Sequence, residues 1–148
     1  MCLKKVVELN IKDLTRSKSS VLNAFLSEYL RVSNATLDVL REQKPNSSTA
    51  LHHLTYSDIR KTTFLPSDIV QEARKDVWAK RKKLPEKITN SSIRMSSRWF
   101  SNFRTKVGTL CFKVTYSPRK ALVLPVANDR AHQRFCSFVN DGWKFENV

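Results

Sequence analysis

Six residues between positions 71 and 82 are of types that could act together. Gln71, Arg74, Lys75, Trp78, Arg81 and Lys82 recur three and four apart, the spacing of one helix face. Such a stripe offers cations to phosphates, an amide able to pair with a base edge, and an aromatic for stacking or apolar contact. A solvated charged face with Trp78 partly packed is the other reading of the same spacing. A second set follows at Arg94, Arg98, Trp99, Phe100, Phe103, Arg104 and Lys106. Basic and aromatic residues interleave there as on single-strand-binding platforms. The arginines read as binding groups, and Phe100 and Phe103 as core residues of an ordinary strand.

Other chemistry is poorly supplied. Glu28, Asp38, Glu42, Asp58, Asp68, Glu72 and Asp76 fall in helical stretches among bases, and Asp129 and Asp141 in turns. A two-metal nuclease needs several acids converging on one site, which this scatter does not suggest. His52 and His53 are adjacent and point apart, and no cysteine pair has zinc-ligand spacing, so no metal site is expected. Gly108 and Gly142 are the two glycines, which excludes a Gly-rich phosphate loop, and no cofactor is expected. Cys2, Cys111 and Cys136, an odd count at unrelated spacings, do not form a disulfide framework and point to the cytoplasm.

The charge balance agrees with the stripe. The 148 residues carry 27 bases and 13 acids, a net +14. Packing does not need this excess, which repels itself, whereas a polyanion would neutralise it with release of counterions. Residues 89–148 hold 10 bases against 3 acids, so the C-terminal part is basic because acids are scarce. No apolar run of 18 residues suggests a membrane partner.

The elements that must position these residues change along the chain. Residues 4–11 read as a short strand. Leu22, Phe25, Leu26, Tyr29, Leu30, Leu37 and Leu40 mark a long helix from about Ser17 to Gln43, closed by the "KPNSS" run. Thr55 to Asp58 reads as a capping box opening a short helix. Pro66 or Ser67 starts a third, with Ile69, Val70, Ala73 and Val77 inward and an end at Pro85. Residues 109–117 and 121–126 alternate as strands around a "PRK" turn. Asn140-Asp141-Gly142 reads as a hairpin turn between two further strands, the second holding Trp143 and Phe145. The order of strand, helices and strands fits an α+β protein, a β-domain with a helical insertion.

From "LHHLTYSDIRKTTFLPSDIVQEARKDVWAKRKK" at 51–83, through "SIRMSSRWFS" at 92–101 and on to the C-terminus, the chain resembles the TnpB family. These are transposon-encoded RNA-guided DNA nucleases. The resemblance implies a small antiparallel β-barrel, the wedge, with a helical insertion: a first wedge strand at 1–13, a helical recognition lobe at 14–88 and the remaining wedge-barrel strands at 89–148. It implies a guide RNA as partner and a short DNA motif beside the target, with Tyr56 and Gln71 at the motif-reading positions. A further contact region falls at Arg94 and Met95. Ser67 stands where the family commonly has a basic residue. Val148 falls about where the nuclease domain would begin, so a binding fragment without enzymatic activity is expected. A separately encoded nuclease part is its implied partner. A guide-independent DNA-binding regulator and a non-functional remnant of a mobile element are the alternatives.

Overall fold

The computed structural model describes residues 4–12, 14–89, 93, 95 and 97–144. Three helices come first: α1 at Arg16–Gln43, α2 at Ser48–Thr62 and α3 at Ser67–Ala79. A 3₁₀ turn at Ser97–Trp99 leads into β1 at Phe100–Arg104, β2 at Leu110–Ser117 and β3 at Lys120–Pro125, and α4 at Arg130–Asn140 follows. The strands form an antiparallel sheet in the order β1-β2-β3. The class is α+β, and among the described residues the sheet is open. No helix among them is long and apolar enough to cross a membrane.

The helix ends follow from local chemistry. Thr15 caps α1 by accepting from the Lys18 amide at 3.3 Å. The chain leaves α1 through Lys44 in the left-handed region. Ser47 then caps α2 by accepting from the Ala50 amide at 3.0 Å, so the run that closes α1 also opens α2. The expected capping box at Thr55 is therefore corrected. Thr55 lies buried in the helix interior, and its hydroxyl donates back to the Leu51 carbonyl at 2.8 Å. Ile69, Val70, Ala73 and Val77 of α3 are buried as their spacing requires. The helix stops at Ala79, six residues before Pro85, in a run of turns.

Two expected strand regions take other forms. Residues 4–11 make one isolated bridge, Ile11 to Val126, flanked by backbone bonds of Asn10 and Lys12 to Ala127 and Pro125. Val7 and Leu9 still pack on Leu110, Val126 and Phe135, while Val6 stays exposed. The alternation is thus real, but most of the segment forms no ladder. Residues 130–140 form α4, not a strand. Asp129 caps it by accepting from the His132 amide at 3.0 Å, and the inward residues His132 and Phe135 are three apart. The Asn140-Asp141-Gly142 run ends this helix. Gly142 adopts φ 86°, its amide donates to Val139 at 3.1 Å, and the Trp143 amide donates to Phe138 at 3.1 Å. This pair of bonds is a Schellman cap, which favours glycine at the left-handed position. Phe145 lies outside the described residues.

Helices and sheet share their largest apolar cluster. Phe25, Tyr29 and Val32 of α1 meet Ile69, Val70 and Ala73 of α3, and Met95 and Phe100 pack with them. Phe25 faces Tyr116 of β2 at 6.2 Å between ring centres. A second cluster, of Leu37, Leu40, Leu51, Val77 and Ile88, joins the far ends of the three helices.

One polar residue holds the segment after α3 onto α1. The Asn34 amide donates to the Ile88 carbonyl at 2.9 Å, and its oxygen accepts from the Ile88 amide at 2.8 Å. Removing the side chain leaves both backbone groups without these partners in a partly buried place. Asn34→Ala is expected to lower stability by about 1–3 kcal/mol, read from the urea midpoint. An unchanged midpoint would show that water replaces the amide.

Candidate nucleic-acid interface

α3 begins after Pro66, whose carbonyl accepts from the Ile69 and Val70 amides. Burying Ile69, Val70, Ala73 and Val77 against α1 and α2 turns the opposite face outward, with Asp68, Gln71, Glu72 and Lys75 along it. Asp68 in the first turn suits the positive end of the helix dipole. Its carboxylate also ties the helix to the 3₁₀ turn. It accepts from the Trp99 indole at 2.8 Å and from the Arg98 guanidinium at 3.0 Å. These two donors hold the Asp68 carboxyl below the usual carboxylate range, the Trp99 bond foremost.

Between these elements lies a cleft of about 300 Å³ lined by Asp68, Ile69, Gln71, Glu72, Lys75, Met95, Arg98 and Trp99. Gln71, Lys75 and Arg98, separated by up to 27 positions in the sequence, meet there. Lys75 pairs with Glu72 at 2.8 Å and Arg98 with Asp68 at 3.0 Å, so each cation of the cleft already has a carboxylate. The cleft is therefore nearly neutral. It presents the Gln71 amide between two mutually paired sets of charges, beside Ile69, Met95 and Trp99, and so suits a base edge better than a phosphate. Arg94, expected beside Met95, lies outside the described residues; Met95 itself is buried at the cleft.

The rest of the stripe is distributed. Arg74 is half-buried, and among the described residues its Nε has no hydrogen-bond partner. Desolvation pushes its guanidinium pKa down, opposed by Glu72. Trp78 packs against the second apolar cluster, so its ring contacts are those of a partly packed residue. Arg81 and Lys82 are not on the helix, because α3 has ended at Ala79. Arg81 folds back over the Trp78 ring at 4.9 Å and donates to the Trp78 carbonyl at 3.2 Å. The exposed run therefore extends over Lys80, Arg81, Lys82 and Lys83 beyond the helix C-terminus. Lys80 and Lys83 were missed by helical spacing because that spacing no longer applies there, although the "KRKK" string itself was a signal.

Tyr56 does not line the cleft. It is half-buried on α2, packs on the main core and stacks with His52 at 4.6 Å. Burial lowers the His52 pKa first, and the nearby charges of Arg74 and His53 lower it further. Arg104 belongs elsewhere too. It donates to the Gly108 carbonyl at 3.1 Å and contacts the Cys136 sulfur at 2.9 Å, beside a second cleft. Phe100 is buried, but Phe103 is 42% exposed, which corrects its expected core position. Residues three apart on a strand face opposite sides, so both could not enter one core.

No protein-family model matches the sequence, and no curated protein matches it.

Proposed function

We propose that the chain binds nucleic acid as the wedge and recognition part of a TnpB-like transposon protein. A structured RNA lies on its basic surface, and a short duplex motif reaches the α3 cleft. The observation that carries this reading is a division of labour along α3. A nearly neutral cleft holds Gln71 between paired charges, and the exposed Lys80–Lys83 run follows at the helix end. Base-edge groups specify sequence, and phosphate contacts add affinity without it. The open sheet is then the described part of a small wedge barrel, and the Ile11 bridge lays a further segment along β3.

Gln71→Ala is expected to flatten preference within a randomised duplex pool by about 5- to 150-fold, the worth of one bidentate base contact. RNA affinity should stay within about twofold, since no phosphate contact is lost. Changing Arg81 and Lys82 together to alanine should weaken all nucleic acids alike and reduce the salt slope by about two. A wild type without sequence preference would sink motif reading and leave a nonspecific basic surface.

A further inference from the structure

The end of α4 gathers two aromatic rings and two cations that the α3 interface does not use. The Schellman cap at Gly142 turns the chain back so that Trp143 lies against Phe138, 5.5 Å between ring centres and with the ring planes tilted by 55°. Lys5, arriving from the N-terminal segment, places its ammonium 4.7 Å from the Phe138 centroid and 5.0 Å from that of Trp143. Arg134, one helical turn before Phe138, places its guanidinium 5.5 Å from the same ring. Both cations are exposed, and among the described residues neither forms a salt bridge. α4 itself contains no acid; Asp129 and Asp141 stand at its two caps, and Arg130 in its first turn and Lys144 beyond its end add further positive charge.

A hydrophobic contact between these two cap positions is a common accompaniment of the motif, and it accounts for the rings touching. It does not account for two unneutralised cations held over them. Half-buried rings beside free cations on a rigid helix end are what an unpaired nucleotide needs: a π-face for its base and positive charge for its phosphate. A duplex cannot use such a place, because its bases are already stacked on one another. We infer that Phe138, Trp143, Lys5 and Arg134 form a second binding site, which takes an unpaired nucleotide of single-stranded RNA. The inference rests on the nucleic-acid reading and adds to it the strand state of the RNA.

The test compares oligouridylate with a blunt RNA duplex of equal charge, by fluorescence anisotropy at fixed salt. The Phe138→Leu, Trp143→Leu double variant keeps an apolar contact at the cap and removes the π-faces. It is expected to lose about 10-fold in affinity for oligouridylate and less than twofold for the duplex, as one stacked base would give. Trp143→Phe should retain the wild-type affinity, while the quenching of indole emission by oligouridylate falls by the share of Trp143, leaving only that of Trp78 and Trp99. That second readout stands even if the double variant folds poorly. Equal loss on both RNAs, no loss on either, or quenching undiminished by Trp143→Phe would overturn the site. So would indole emission that responds to phosphatidylserine vesicles and not to oligouridylate. If the wild type binds neither RNA, the nucleic-acid reading itself falls; if it binds both and the variants match it, the α4 site alone falls.

Discussion

Raising the salt from 50 to 200 mM is expected to cost the chain about 10³-fold in RNA affinity. Each phosphate neutralised by Lys or Arg releases condensed counterions, and that gain shrinks as bulk salt rises. The net charge of +14 sets the scale. Among the described residues, four bases are matched in the pairs Arg31–Glu28, Arg41–Asp38, Lys75–Glu72 and Arg98–Asp68. The exposed Lys80–Lys83 run, together with Lys106, Lys113, Arg119 and Lys120 around the sheet, remains at the surface. If about six of these meet phosphates, a plot of log affinity against log salt has a slope of about −4 to −5, single-stranded RNA lying at the shallow end. Filter binding across a salt series measures it. A flat line would remove the nucleic-acid reading, because no other term in that reading supplies comparable affinity.

Leu37→Ala is expected to lower stability by about 2–5 kcal/mol, the range for truncating a fully buried leucine whose site collapses incompletely. Leu37 has no exposed surface and lies where α1, α2 and α3 converge, among Leu40, Leu51, Val77 and Ile88. In a chain of this size such a loss lowers the melting temperature by roughly 5–15 °C, read by circular dichroism. The same cluster supports Trp78 and Leu84, which bracket the basic run after α3. The variant should therefore bind RNA more weakly well below its melting point, as the run loses its fixed position. Leu54→Ala, at an exposed position on α2, serves as the control and should change little. A Leu37 variant that melts with the wild type would mean that this end of the helical layer is not a packed core.

The helical layer was the most legible part of the chain. A long amphipathic pattern repeats its signal over many turns, so α1 lies within one residue of its expected start and the four inward residues of α3 are all buried. Short segments gave less. Residues 130–140 carry aromatic and small residues in an order that a strand would also tolerate. What decided for α4 was the Asp129 cap and the packing of Phe135 on Leu110 and Val126, the latter fixed only once β2 and β3 are paired. Asn-Asp-Gly serves a hairpin or a helix end equally well, since both need a left-handed residue. The segment at 4–11 kept its alternation and lost most of its ladder, because a strand requires a partner along its length and β3 offers one at Ile11.

The sequence alone determined the net charge, the three-helix pattern, the β2–β3 hairpin and the residue types from which an interface could be made. These are properties of composition and of local periodicity, which each segment carries with it. The tertiary structure decided which of those residues work together. It brought Arg98 and Trp99 onto Asp68 across about thirty positions and so neutralised the cleft around Gln71. It stopped α3 at Ala79, moving Arg81 and Lys82 from the helix face into an exposed basic turn. It left Tyr56 stacked on His52 and sent Arg104 to Cys136. It also brought Lys5 over Phe138 and Trp143, more than 130 positions away in the chain. Contacts of that kind depend on which faces are buried first, and no local pattern encodes them.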